Sequence, residues 1–143
     1  MGAEWNEDVG ADMGGRKLMD ICNGIQHIGI PSADVEGTCR FYEGLGFQRV
    51  FQTVIRDCQK VAFLQSGSLI LETYEAVPVK HGGAIDHLAV DCLDVKAAYQ
   101  LALEQGCVIV SDGIEELPFW DHGARFFMIE GPNGEKIEFD QKL

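Results

Sequence analysis

From Ile25 onward the chain alternates between two hydrophobic periods, one of two residues and one of about 3.6, in an order that it then repeats. IQHIGI (25–30) predicts a strand. Ser32 or Asp34 can cap a following helix, where Val35, Cys39 and Tyr42 recur at i, i+4 and i+7, with Phe41 and Leu45 widening the stripe. Gly44 and Gly46 end it. FQRVFQTVI, KVAFLQ and SLILETYE predict two or three further strands, with a Gly67 turn between the last two. AVPVKHGGA (76–84) carries Pro and Gly and reads as a linker. The same order then returns. IDHLAV predicts a strand, and Asp94 caps a helix with Val95, Ala98, Tyr99, Ala102 and Leu103 on one face. Gly106 ends that helix. CVIVSD, ARFFMIE and EKIEFDQ predict strands, the last two joined by a Gly-Pro-Asn-Gly turn.

The recurrence is also visible in the residues themselves. Residues 25–50 align with residues 85–110 without a gap, at an offset of 60, and His27 falls on His87. Each copy reads βαβββ. A unit with one helix cannot cover both faces of its own sheet. Two units side by side therefore predict an α+β fold: a curved eight-stranded mixed sheet with helices on the convex face and an open concave face. The single domain would span 24–143, with modules at 25–75 and 85–141. Residues 1–23 are acidic and Gly-rich without an apolar period, and predict a flexible tail or an arm that docks on a partner subunit.

The strand period places the polar residues. Where Ile28 and Ile30 face the helix, His27 faces away; where Leu88 and Val90 face the helix, His87 faces away. Leu69 and Leu71 turn Glu72 to the open face, and Ile137 and Phe139 do the same for Glu138. Two His and two Glu thus hold matching places in matching strands. Nitrogen and carboxylate donors without Cys suit one divalent metal at a non-structural site, with Ni, Co, Mn, Fe and Zn all open. Whether the four meet within one chain or across two is open at this stage. His81 and His122 sit in Gly-bearing loops and break the repeat, so they are solvated or substrate-lining.

Bulk properties narrow the partners. A length of 143 residues suits one domain, and a net charge of −12 with no basic cluster excludes nucleic acid. No apolar run approaches the ~20 residues of a membrane span, and no signal-peptide pattern opens the chain, so no membrane partner is expected. Cys22, Cys39, Cys58, Cys92 and Cys107 are odd in number and form no CxxC pair, which predicts reduced thiols and a cytoplasmic protein.

At HIGIPSADVEGTCRFYEGLGF, SLILETYE, IDHLAVDCLDV and GPNGEKIEFDQ the chain resembles the vicinal oxygen chelate superfamily, and within it glyoxalase I (lactoylglutathione lyase). The resemblance implies paired βαβββ modules, a homodimer and metal ligands at His27, Glu72, His87 and Glu138. The four-ligand set is similar to that of bacterial glyoxalase I. Methylmalonyl-CoA epimerases, which usually carry Gln at the position of Glu72, and ligand-free drug-binding proteins of the same fold are the alternatives. Two family positions differ. Pro31 stands where an Arg helps hold glutathione, and Ala76 replaces an Asn.

The expected chemistry is proton transfer beside a carbonyl, in a small substrate that presents two adjacent oxygens to the metal, as the hemithioacetal of methylglyoxal does. Glu138 is the candidate base, or else only a ligand; Glu72 is the second carboxylate. In the loop ELPFWDH, Phe119, Trp120 and His122 are candidates for a pocket wall, with a subunit contact as the alternative for the exposed aromatics.

Overall fold

The computed structural model describes residues 17–21 and 24–143. Most of the expected N-terminal tail lies outside the described residues; within it Leu18–Ile21 form a single 3-10 turn. The first module consists of β1 (Ile28–Ser32), α1 (Val35–Leu45), β2 (Gln48–Ile55), β3 (Gln59–Ser66) and β4 (Leu69–Glu75). The second consists of β5 (Leu88–Asp91), α2 (Val95–Glu104), β6 (Val108–Ile109), β7 (Glu115–Leu117), β8 (Ala124–Glu130) and β9 (Lys136–Lys142). Among the described residues no helix is long and apolar enough to cross a membrane.

Both helices start as the sequence predicts. The Asp34 carboxylate accepts from Gly37 N at 3.0 Å, and the Asp94 carboxylate accepts from Ala97 N at 3.1 Å. Each cap satisfies a helix-start amide that would otherwise lack a partner, an arrangement worth about 1 kcal/mol. Gly46 ends α1 at φ 110°, a left-handed conformation that a side chain would strain.

The fold is the expected α+β arrangement of two βαβββ modules, with two departures in the sheets. The strands form two separate sheets instead of one eight-stranded sheet. The first has the order β1-β4-β3-β2, and the second has the order β5-β9-β8-β6, with β7 also paired to β8. In each, the outer strand (β1 or β5) runs parallel to its neighbour. The second departure is that CVIVSD pairs only at Val108 and Ile109. Beyond them Ser111 Oγ accepts from Met128 N at 2.9 Å, so a side chain takes over part of the β8 edge. Glu115–Leu117, expected as loop, then pairs with the rest of that edge.

Burial of the helix-side faces explains why the sheets stay separate. One core cluster contains Ile30, Tyr42, Leu64 and Leu71 of the first module and Val95, Ala102, Phe127, Ile129 and Ile137 of the second. The modules therefore join on their helix-bearing sides. A cavity of about 580 Å³ between them is lined by Leu45, Phe47 and Leu69 from one module and Leu88, Leu101 and Ile129 from the other. The opposite, open face of each sheet points away from this shared core.

A polar clasp fastens the join. The Tyr42 hydroxyl donates to Glu135 Oε1 at 3.1 Å, and Asn133 Nδ2 donates to Thr38 Oγ1 at 2.9 Å. Thr38 Oγ1 is also 2.8 Å from the buried Ser32 Oγ. The Gly-Pro-Asn-Gly turn of the second module is thus held against α1 of the first. Gly134 lets it fit: its φ is 83°, and an added Cβ would lie 2.5 Å from the Lys80 backbone. Gly134→Ala is expected to cost about 2 kcal/mol or more, from backbone strain plus the steric conflict. Urea denaturation checks this, and an unchanged midpoint would contradict the clasp.

Candidate metal centre

Strand pairing fixes which side chains reach the open faces. In the first sheet Gly29 stands beside Glu72, and Glu72 beside Phe63, while Ile28, Leu71 and Leu64 occupy the other side. In the second sheet Ala89, Glu138 and Met128 align in the same way. His27 and His87 each precede the paired strand by one residue, so the predicted strands IQHIGI and IDHLAV begin three residues late. Their partners explain this. β4 begins at Leu69 and β9 at Lys136, within two residues of the first paired positions, which leaves little edge for the upstream residues.

Released from the ladder, each His meets the Glu of its own module. His27 Nε2 lies 3.2 Å from Glu72 Oε2, and His87 Nε2 lies 2.9 Å from Glu138 Oε2. The other ring nitrogens are engaged as well. His27 Nδ1 is 3.0 Å from Gln26 Oε1, and His87 Nδ1 is 2.9 Å from Asp86 Oδ2. Strand periodicity does not single out Gln26 and Asp86. The signal that finds them is the repeat itself, since they stand at the same offset of 60 as the two histidines.

The His87 imidazole therefore sits between two carboxylate acceptors. A neutral ring carries one N–H and satisfies only one of them. The second contact calls for another proton or for a cation. A proton held on Nδ1 by Gln26 or Asp86 leaves Nε2 as a lone-pair donor beside a carboxylate, which is how outer contacts prepare a histidine ligand. A further orphan points the same way: Asp140 Oδ1, on the same face as Glu138, is buried without a hydrogen-bond partner. The donor set fits a divalent cation.

The two halves differ electrostatically. Glu138 is buried, 7% exposed. Loss of solvent holds its carboxyl above the usual range, with nearby His87 opposing and Asp140 adding to the rise. Asp86 is held below its usual range by His87 and by Lys136, whose Nζ lies 3.4 Å away. The His27 half has a neutral amide, Gln26, where the His87 half has a carboxylate.

The four residues do not gather within the chain. Among the described residues no three His, Cys, Asp or Glu side chains form a group able to hold a metal. The two half-sites stay apart, although Gly29 and Pro31 of β1 share a cavity of about 420 Å³ with Asp86 and His87. Phe119, Trp120 and His122 are not brought to either half. Phe119, Trp120 and His122 are exposed, and Trp120 lies under Lys142 Nζ, 3.9 Å from the ring centre. Trp120 and His122 line a surface depression of about 520 Å³ that includes none of the His–Glu residues. His81, by contrast, lines the cavity of about 420 Å³ together with Asp86 and His87 of the second half, its Nδ1 2.7 Å from the Gly82 carbonyl.

Comparison with known proteins agrees with this architecture. Residues 24–139 match the model of the Glyoxalase/Bleomycin resistance protein/Dioxygenase superfamily. The uncharacterized protein YwbC of Bacillus subtilis (strain 168) is 31% identical over 129 residues, covering 82% of this chain and 97% of that protein. The crystal structure of a glyoxalase family protein from Enterococcus faecalis superposes with a TM-score of 0.69 at 22% identity, covering 83% of this chain and 98% of its own. A mutant of the fosfomycin resistance protein FosX from Listeria monocytogenes, complexed with Mn(II) and 1S,2S-dihydroxypropylphosphonic acid, superposes with a TM-score of 0.66 at 13% identity. That match covers 86% of this chain and 95% of FosX.

Asp86→Ala is expected to weaken divalent-metal binding by about 10- to 100-fold, the usual effect of losing an outer contact to a histidine ligand. Gln26→Ala is expected to do less, because an amide polarises the ring less than a carboxylate does. Titration of metal-free protein with Co(II) checks both, and equal affinity in wild type and Asp86→Ala would contradict the assignment. Acid should also release the metal early. Glu138 must be deprotonated to bind, and its raised pKa means protons compete from above the usual glutamate range as pH falls. Metal that stays bound down into the range of an exposed glutamate would contradict a site built from two histidines and Glu138 together.

Proposed function

The chain belongs to the glyoxalase/bleomycin resistance protein/dioxygenase superfamily, and from that premise we propose that it is a metal-dependent lyase or isomerase of the glyoxalase I type that works as a homodimer. The observation that carries this reading is the pair of His–Glu half-sites that do not join within one chain. A two-fold dimer that sets His27 and Glu72 of one copy against His87 and Glu138 of the other completes two four-residue sites at once. Ile25 and Ile85, two residues before each His, are 79% and 86% exposed. Apolar side chains left bare beside the half-sites are what a second copy would cover.

When bound, the metal would supply Lewis acidity to two adjacent oxygens of the substrate and make the neighbouring C–H more acidic. Glu138 moves the proton. Its burial raises its affinity for a proton, so it can take one from the carbon beside the carbonyl and return it to the next carbon. Glu72, the more exposed carboxylate, balances charge at the opposite half. Gln26 and Asp86 hold the two imidazoles in place. The hemithioacetal of a 2-oxoaldehyde such as methylglyoxal has the required pair of oxygens. Pro31, a residue without a charge to offer, stands on the open face beside Tyr74, so a thiol other than glutathione suits this surface.

The reading is tested on protein purified without chelator. About one divalent metal per chain is expected, with turnover of methylglyoxal in the presence of at least one of a panel of thiols. Glu138→Gln should lower turnover by about 10²- to 10⁴-fold, the usual contribution of a positioned base, with its circular dichroism unchanged. Full activity in Glu138→Gln removes it as the base. Bound metal without turnover for any thiol favours an acyl-thioester epimerase. Protein with far less than one equivalent of metal favours a non-catalytic small-ligand binder.

A further inference from the structure

The open face of the first module turns aromatic where it leaves the half-site. Phe63 meets His27 edge-on with ring centres 5.6 Å apart, and Phe51 meets Phe63 at 6.1 Å. Pairing puts both on the open face, Phe63 opposite Glu72 and Phe51 opposite Phe63. Phe51 is 57% exposed, and Ile55, two positions further along the same face, is 41% exposed. An apolar path therefore starts at a ligand-type histidine and runs outward across the sheet. A molecule gripped beside His27 and Glu72 would reach Phe63 first and Phe51 next.

Charge narrows what such a molecule can carry. Among the strand positions on that face none is Lys or Arg, and Glu72 is the one charged residue. On the second module's open face the two lysines are engaged, Lys136 with Asp86 and Lys142 over Trp120. Asp91, Glu138 and Asp140 share that face and add negative charge. A substrate tail bearing carboxylates, as a tripeptide thiol has, would meet repulsion and no free cation on these strands. A neutral ring would meet the edges and faces of two Phe side chains, an arrangement that favours aromatic groups beyond the burial of area alone.

We propose that the substrate carries a neutral aromatic group next to its two chelating oxygens, and that Phe63 and Phe51 receive that group. The proposal rests on the metal-site reading given above, and it is tested separately from it. Hydroxamates present two adjacent oxygens without needing turnover. Full-length protein loaded with Co(II) would be titrated with benzohydroxamate, acetohydroxamate and the carboxylate-bearing succinic monohydroxamate, following the visible cobalt bands. Benzohydroxamate is expected to bind about 10-fold or more tightly than either of the others, the scale on which a well-placed apolar group discriminates. Phe51→Ala should cut its advantage over acetohydroxamate to about 2- to 3-fold, and Phe51→Leu, which keeps an apolar side chain, should give an intermediate ratio. Equal affinity for benzohydroxamate and acetohydroxamate overturns the aromatic wall while the metal site stands. Tighter binding of succinic monohydroxamate overturns the neutral-substrate assignment, again with the metal site intact. Failure to retain cobalt overturns the metal site and this proposal with it.

Discussion

Everything at the candidate site follows from one burial constraint. Each module has a sheet with a single helix, and its apolar side must be covered. Within this chain the two modules cover one another: Tyr42, Leu71, Phe127 and Ile137 belong to the same core. Because side chains alternate across a strand, burying Leu71 and Ile137 turns Glu72 and Glu138 outward. The same packing that stabilises the chain thus holds its two His–Glu pairs apart. A chain that satisfies its core in this way leaves its two ligand-bearing faces outside that core.

The contacts within each half-site make that separation chemically informative. A histidine between two oxygen acceptors, and a buried Asp140 oxygen with no partner, describe a place that gains from positive charge. The halves are not equivalent, however. Asp86 and a buried Glu138 surround His87, whereas Gln26 and a more exposed Glu72 surround His27. The repeat preserved the positions and let the chemistry diverge. That asymmetry fits a division of labour in which the second half handles the proton and the first, with its aromatic flank, handles the rest of the substrate.

Much of this was legible in the sequence because it is local. The helix caps Asp34 and Asp94, the glycine stops and the outward direction of the two glutamates all depend on short-range periodicity. What was not legible depends on contacts far apart in the chain. No local pattern says that β1 and β5 remain unpaired with each other, so the single curved sheet was the wrong extrapolation from a correct pair of modules. Nor could periodicity show that Ser111 would replace part of a ladder and let Glu115–Leu117 become a strand. The loop with Phe119, Trp120 and His122 drew attention by composition. Its place is set by Lys142 at the far end of β9, away from either His–Glu contact. Gln26 and Asp86 were within reach, since the repeat marked them, but their role needs the ring orientation that only coordinates supply.

The central claim is that one metal centre takes His27 from one copy and His87 from the other. It is tested most directly by the variants His27→Ala and His87→Ala, purified singly and co-expressed at equal levels. Alone, each variant has no complete site and should hold almost no metal. In the co-expressed sample half of the dimers are mixed, and each mixed dimer has one intact site of two, so about a quarter of the wild-type metal content should return. Metal content in the mixture that stays at the average of the two single variants would contradict a centre shared between copies.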